Sequence, residues 1–136
     1  LDKVVDESDI AFGSLGLHRT GAGSPLKNRE YCARGIPFVI SYEDLDFPET
    51  FLFVYRIPKD DTPVDINKVI QWYENLVKGH PNYSMEMRKY AEENLSWDVK
   101  MKPVIEKIKE LAKEKGIPHL LLEKHEGNDK IKIDYE

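Results

Sequence analysis

The amino-acid sequence predicts an α/β protein: a small parallel sheet with flanking helices, followed by a C-terminal helix and a β-hairpin. Three observations predict it. Apolar runs at 10–15, 38–41 and 51–57 are continuous rather than alternating, as in strands buried on both faces. Segments with helical apolar spacing lie between and after them. Gly and Pro stand at the junctions, where they close one element and admit the next.

Leu1 to Ser8 reads as the tail of a helix feeding the first strand, Ile10 to Leu15. Ser24 can cap a helix whose first-turn position suits Pro25, because an amide there has no helical partner to lose. Gly35-Ile36-Pro37 ends that helix and opens the strand Phe38 to Ser41. Tyr42 to Thr50 is acidic and too short for a crossover helix, so it reads as a solvated loop before the strand Phe51 to Ile57, which Pro58 ends.

Thr62-Pro63 or Asp65 starts the next helix, with Ile66, Val69, Ile70, Tyr73, Leu76 and Val77 on one face. Gly79-His80-Pro81 stops it, and Asn82 or Ser84 caps another that runs to about Leu95. Asp98 to Lys115 makes the last helix, with Val104, Ile105, Ile108, Leu111 and Ala112 inward and Pro103 in its first turns, where it is tolerated. His119 to Lys124 and Lys130 to Tyr135 flank Glu126-Gly127-Asn128-Asp129, a hairpin turn.

Chemistry concentrates between residues 17 and 40. The free amides of Leu26 and Lys27, with the positive end of the helix dipole, face whatever enters from the loop 17–23, and a phosphate fits that field. His18 and Arg19 follow a strand's C-terminal end, where open α/β sheets bind ligands. Glu30 falls about 9 Å along the helix from Ser24, at about 1.5 Å per residue, roughly the span from a pyrophosphate to ribose hydroxyls. A carboxylate accepting from two vicinal hydroxyls is a familiar ribose clamp.

The pattern Ser24-Pro25-Leu26-Lys27, Glu30-Tyr31, Ala33 and Gly35-Ile36-Pro37-Phe38-Val39 resembles the donor-binding segment of GT-B glycosyltransferases, of the large retaining family termed group 1 or family 4. The resemblance covers about residues 1–80, with a weaker match at Glu93-Asn94-Leu95-Ser96-Trp97-Asp98, which is similar to the entry of that family's final helix. It implies the C-terminal, partial Rossmann-like half of such an enzyme, with a donor-binding segment at 1–80 and C-terminal helices and tail at 81–136. It implies that Ser24, Leu26 and Lys27 hold the phosphates of a nucleotide-diphosphate sugar and that Glu30 holds the ribose; His18 and Arg19, placed by the sheet edge, are expected to join the phosphate set. The family's second glutamate, eight positions upstream, is Ala22 here, so no residue is assigned to the sugar and no catalytic residue is identified.

At 136 residues the chain is one domain's worth and too short for two Rossmann-like halves. It is expected to be a C-terminal piece whose acceptor-binding domain precedes it, inactive alone. The net charge of −5 and pI near 5.4 argue against a general nucleic-acid binder. Residues 18–35 nonetheless set Arg19, Lys27, Arg29 and Arg34 against Glu30 alone, gathering cations where phosphates are expected. A lone cysteine, Cys32, cannot form an intrachain disulfide and fits the cytoplasm. No apolar run reaches membrane-spanning length, so membrane association is expected to be peripheral at most. With no metal-ligand spacing among the histidines, neither cofactor nor metal is expected beyond the sugar nucleotide.

Blander readings stand beside these. Lys27, Glu30 and Arg34 also fit an ordinary ion-pair stripe at i, i+3 and i+7. Cys32 reads as core packing. The alternative function is a non-catalytic α/β protein-interaction module docking through the lysine-rich final helix. A dinucleotide-dependent oxidoreductase lacks its GxGxxG motif.

Overall fold

In the computed structural model the described residues are 2–16, 26–116, 120–125 and 128–133, the last two stretches by backbone alone. The chain runs α1 (Asp2–Asp6), β1 (Ala11–Phe12), α2 (Leu26–Arg34), β2 (Phe38–Ile40), β3 (Val54–Arg56), α3 (Ile66–Gly79), α4 (Tyr83–Asn94), α5 (Trp97–Lys115), β4 (Leu120–His125) and β5 (Asn128–Ile133). It forms two compact units, Leu1–Leu95 and Ser96–Glu136.

The first unit carries the expected parallel sheet, three strands in the order β1-β2-β3, with Phe38 opposite both Ala11 and Val54. All three strands are shorter than their apolar runs. After β1 the Gly13 amide still donates to the Val39 carbonyl at 2.9 Å, and the backbone then turns at Leu15 and Gly16. Before β3, Phe51 and Phe53 are apolar because they are buried in a turn rather than laid in a strand. Apolar character reports burial, not backbone direction.

The central strand is wholly buried, and Cys32 of α2 and Met87 of α4 pack in the same core. An aromatic cluster extends it. Phe47 meets Phe38 edge-on with ring centroids 5.1 Å apart, and Phe51 lies 4.5 Å from Tyr90 by the same measure. Such pairs add about 0.5–1.5 kcal/mol each beyond their burial.

The end of α2 explains its packing on α4. Gly35 takes φ +75°, the left-handed conformation that closes helices, and a Cβ there would come within 2.6 Å of the Ser84 carbonyl oxygen. The Arg88 guanidinium donates to the Arg34 carbonyl at 3.1 Å, satisfying an acceptor the helix leaves open. Helix α3 is capped by Asp65, whose carboxylate accepts from the Lys68 amide at 3.2 Å. Only Val69 and Leu76 of its apolar face are buried, while Ile66 and Ile70 are exposed.

In the second unit, Ser96 caps α5, accepting from the Val99 amide at 3.4 Å. The helix buries none of its residues. The expected inward set is corrected accordingly: Val104 and Leu111 are exposed, and Ile105, Ile108 and Ala112 are half-buried. Pro103 stands six residues after Trp97, beyond the first turn, so it deprives the Val99 carbonyl of its helical donor. β4 and β5 pair antiparallel from Leu120↔Ile133 to His125↔Asn128. Asn128 and Asp129 are thus strand residues, and the connection is shorter than the expected four-residue turn. No helix among the described residues is long and apolar enough to cross a membrane.

Candidate functional site

Because β1 and β2 are parallel, the helix between them runs back along the sheet and its first turn lies at the edge where the strands end. Side-chain contacts confirm this placement. Asn28, in that first turn, is fully buried and faces the two segments that leave the strands, one after β1 and one after β2. Its Nδ2 donates to the Tyr42 hydroxyl at 2.5 Å and to Asp44 Oδ2 at 2.9 Å, both just past β2. Its Oδ1 has no hydrogen-bond partner among the described residues and lies against Gly13, just past β1. Asp44 fixes this orientation of the amide, since a carboxylate must meet the donor end.

The acidic loop is therefore not the solvated turn its charge count suggests. Asp44 is buried; besides Asn28, its Oδ1 accepts from the Asp46 amide at 3.1 Å and lies 3.7 Å from the Arg29 guanidinium. Arg29 also donates to the Asp46 carboxylate. Burial raises the Tyr42 phenol above its ordinary range, the hydrogen bond from Asn28 opposing and the Asp44 charge adding to the rise. Ser41 completes the edge by donating to the Leu15 carbonyl at 2.7 Å, which ties the β1 exit to the β2 exit.

Leu26 and Lys27 open α2, and both residues are exposed. His18, Arg19, Ser24 and the whole loop 17–23 lie outside the described residues. Two cations expected around a phosphate are engaged otherwise. Arg29 meets Asp44 and Asp46, and Arg34 meets Asp6 at 2.6 Å, Asp2 at 2.7 Å and Glu30 at 3.0 Å. Proximity in sequence implied a common field, but carboxylates from α1 and from the loop after β2 compete for both guanidinium groups.

Glu30 stands on the exposed side of α2, its Oε1 accepting from Arg34 Nε at 3.1 Å and lying 3.0 Å from Nη2, which donates to Asp2. The i, i+4 half of the ion-pair stripe is present, and the carboxylate is open to solvent. Cys32 is core, as its place on the helix requires; its thiol donates to the Met87 carbonyl at 3.3 Å and burial pushes its pKa up to about 12. No group of three or more His, Cys, Asp or Glu among the described residues is placed to hold a metal ion. His80 instead contacts Glu86 at 3.3 Å and packs edge-on against Phe53.

A cavity of about 290 Å³ lies elsewhere, bounded by Phe51 and Phe53 ahead of β3 and by Glu86, Lys89 and Tyr90 of α4. None of the residues of α2 lines it. No family model, curated protein or solved structure matches the chain.

Sequence reasoning missed Asn28, Tyr42 and Asp44. A signal was available: Asn28 and Cys32 are four residues apart and are the two buried positions of α2. An amide on a helix's buried stripe requires polar partners from the neighbouring segment.

Proposed function

We propose that this chain is the donor-binding part of a GT-B type glycosyltransferase, acting in the cytoplasm on a nucleotide-diphosphate sugar together with an acceptor-binding domain of the same protein. One observation carries the reading: the parallel β1-α2-β2 crossover presents the start of α2 at the carboxyl edge of the sheet, braced from below by Asn28. There the Leu26 and Lys27 amides and the helix dipole favour an anion, and Lys27 adds a formal charge. Glu30, open to solvent on the same helix, supplies an acceptor for ribose hydroxyls. Stabilising a departing diphosphate with amides and cations is electrostatic catalysis, so the proposal needs no metal in this half. The sugar contact stays unassigned, with Ala22 where the family has glutamate.

Calorimetric titration of the chain with UDP, GDP, ADP and pyrophosphate tests the reading. Lys27→Ala is expected to weaken nucleotides and pyrophosphate alike. Glu30→Gln is expected to weaken nucleotides by about tenfold to a hundredfold, the loss of charge assistance in two hydrogen bonds, and to leave pyrophosphate unchanged. Equal losses for both ligands in the Glu30 variant would show that Glu30 acts through the helix. The second reading, an interaction module, draws on the exposure of Trp97, Val104 and Leu111 along α5. Failure of the wild-type chain to bind any of the four ligands favours it.

A further inference from the structure

Three carboxylates converge on one guanidinium at the exposed side of α2, and only one of them belongs to that helix. Asp2 and Asp6 approach Arg34 from α1, and Glu30 approaches from one turn back along α2. Stability alone explains this poorly. The carboxylates are 83, 59 and 51 % exposed, so each pair contributes little, and the cluster holds three negative charges against one positive. The feature with geometric content is the bond to Glu30. Nε and Nη2 of Arg34 both reach the same oxygen, Oε1. A carboxylate has about four lone-pair positions, two on each oxygen. Nε donates to Oε1 while Nη2 donates to Asp2, so the guanidinium holds the carboxylate by one oxygen and Oε2 keeps its two positions, the number that a vicinal diol requires.

We propose that Arg34 is a positioning residue that holds Glu30 for a cis-diol, and that Asp2 and Asp6 fasten the guanidinium to α1 so that it does not follow the ligand. The inference rests on the donor-binding reading above. A glutamate with three rotatable bonds would otherwise be ordered at the moment of binding, and holding it in advance is worth up to about tenfold in affinity. The surplus negative charge serves the same end: a neutral diol tolerates it, whereas a phosphate is driven toward the other end of the helix. The surplus carboxylate charge around Arg34 thereby sorts the two ends of a nucleoside diphosphate.

The test is a double-mutant cycle on the 136-residue chain, with UDP, 2′-deoxy-UDP and pyrophosphate as probes and thermal unfolding as a control on folding. Arg34→Gln is expected to weaken UDP by about threefold to tenfold, to weaken 2′-deoxy-UDP less and to leave pyrophosphate unchanged. In the Glu30→Gln background the same change should cost under about twofold, because there is no carboxylate left to hold. Arg34→Lys should recover part of the loss, and the Asp2→Asn, Asp6→Asn pair should stay within about twofold of wild type, since the guanidinium keeps Glu30. An Arg34 penalty of the same size with and without the Glu30 carboxylate, or one shared by pyrophosphate, overturns the proposal and leaves the ribose role of Glu30 standing. Wild type and Glu30→Gln binding UDP equally well overturns the ribose role, and this inference with it. If Arg34→Gln does not fold, Arg34→Lys carries the cycle: its smaller loss of UDP affinity should vanish in the Glu30→Gln background, and a loss that persists there overturns the proposal.

Discussion

Asn28 Oδ1 and Gly13 touch so closely that no side chain fits at position 13: a Cβ built there would lie 2.9 Å from the oxygen, 3.1 Å from Ile40 Cγ2 and 3.2 Å from the Val39 carbonyl. Neither partner can yield easily, since the amide is held by Tyr42 and Asp44 and the carbonyl belongs to the central strand. Gly13→Ala is expected to destabilise the first unit by about 1–3 kcal/mol, the usual cost of overpacking. Urea midpoints of the two proteins check this, and an unchanged midpoint would mean that the β1 exit shifts freely.

Removing the amide has a different cause and a larger effect. Asn28→Ala leaves the buried Asp44 carboxylate without the donor on its Oδ2, and hydrogen bonds to charged groups are worth about 1.5–3 kcal/mol. The expected loss is about 3 kcal/mol, with the Asn28→Asp variant worse at neutral pH because two carboxylates then face each other. Chemical denaturation at neutral pH ranks the three proteins.

At Gly35 strain and crowding add. The left-handed φ of +75° disfavours any other residue, and a Cβ would also press on the Ser84 carbonyl. Gly35→Ala is expected to lower stability by about 3 kcal/mol or more. A loss under about 1 kcal/mol, the cost of the φ alone, would show that α4 can retreat from α2.

Cys32 makes stability depend on alkaline pH. Burial raises its pKa to about 12, whereas in the unfolded chain it titrates near its ordinary value of about 8.5. The folded state holds this proton more tightly, so the contribution is complete below about pH 8.5 and is lost as pH rises toward 12. Urea midpoints measured from about pH 8 to about pH 11 should fall in wild type and fall less in Cys32→Ala. Tyr42 and Tyr90, also raised by burial, leave a residual slope.

Pro103→Ala is expected to stabilise α5 by about 1–3 kcal/mol, because it restores a donor for the Val99 carbonyl and removes a ring clash. Helical ellipticity and its thermal midpoint should both rise. A fall in either would mean that the proline is held by packing outside the helix.

Much of the architecture is legible in the residues. Three continuous apolar runs announce a buried parallel sheet, Gly35 with Pro37 marks the end of α2, and Asp65 marks the start of α3. Misreadings arise where partners are distant in sequence. The charges of Asp44 and Asp46 suggest a solvated loop only until Asn28 and Arg29, on a preceding helix, are brought beside them. The apolar positions of α5 announce a capacity for burial without naming what satisfies it. Of the candidate site, the exposed start of α2 and Glu30 were readable from local spacing, whereas the buried brace beneath them depends on three segments meeting in space.

Residues 41–53 contain no strand or helix, yet Phe47, Phe51 and Phe53 are buried there, Tyr90 donates to the Asp46 carbonyl at 2.6 Å and Arg56 to the Phe47 carbonyl at 2.6 Å. A protease or an exchanging deuteron meets such a segment as interior. Opening it exposes three aromatic rings and strands Asp44, so it opens with the whole unit and not ahead of it. Peptide insertions tolerated by ordinary connections should abolish folding here, while the exposed stretch at 59–62 should accept them.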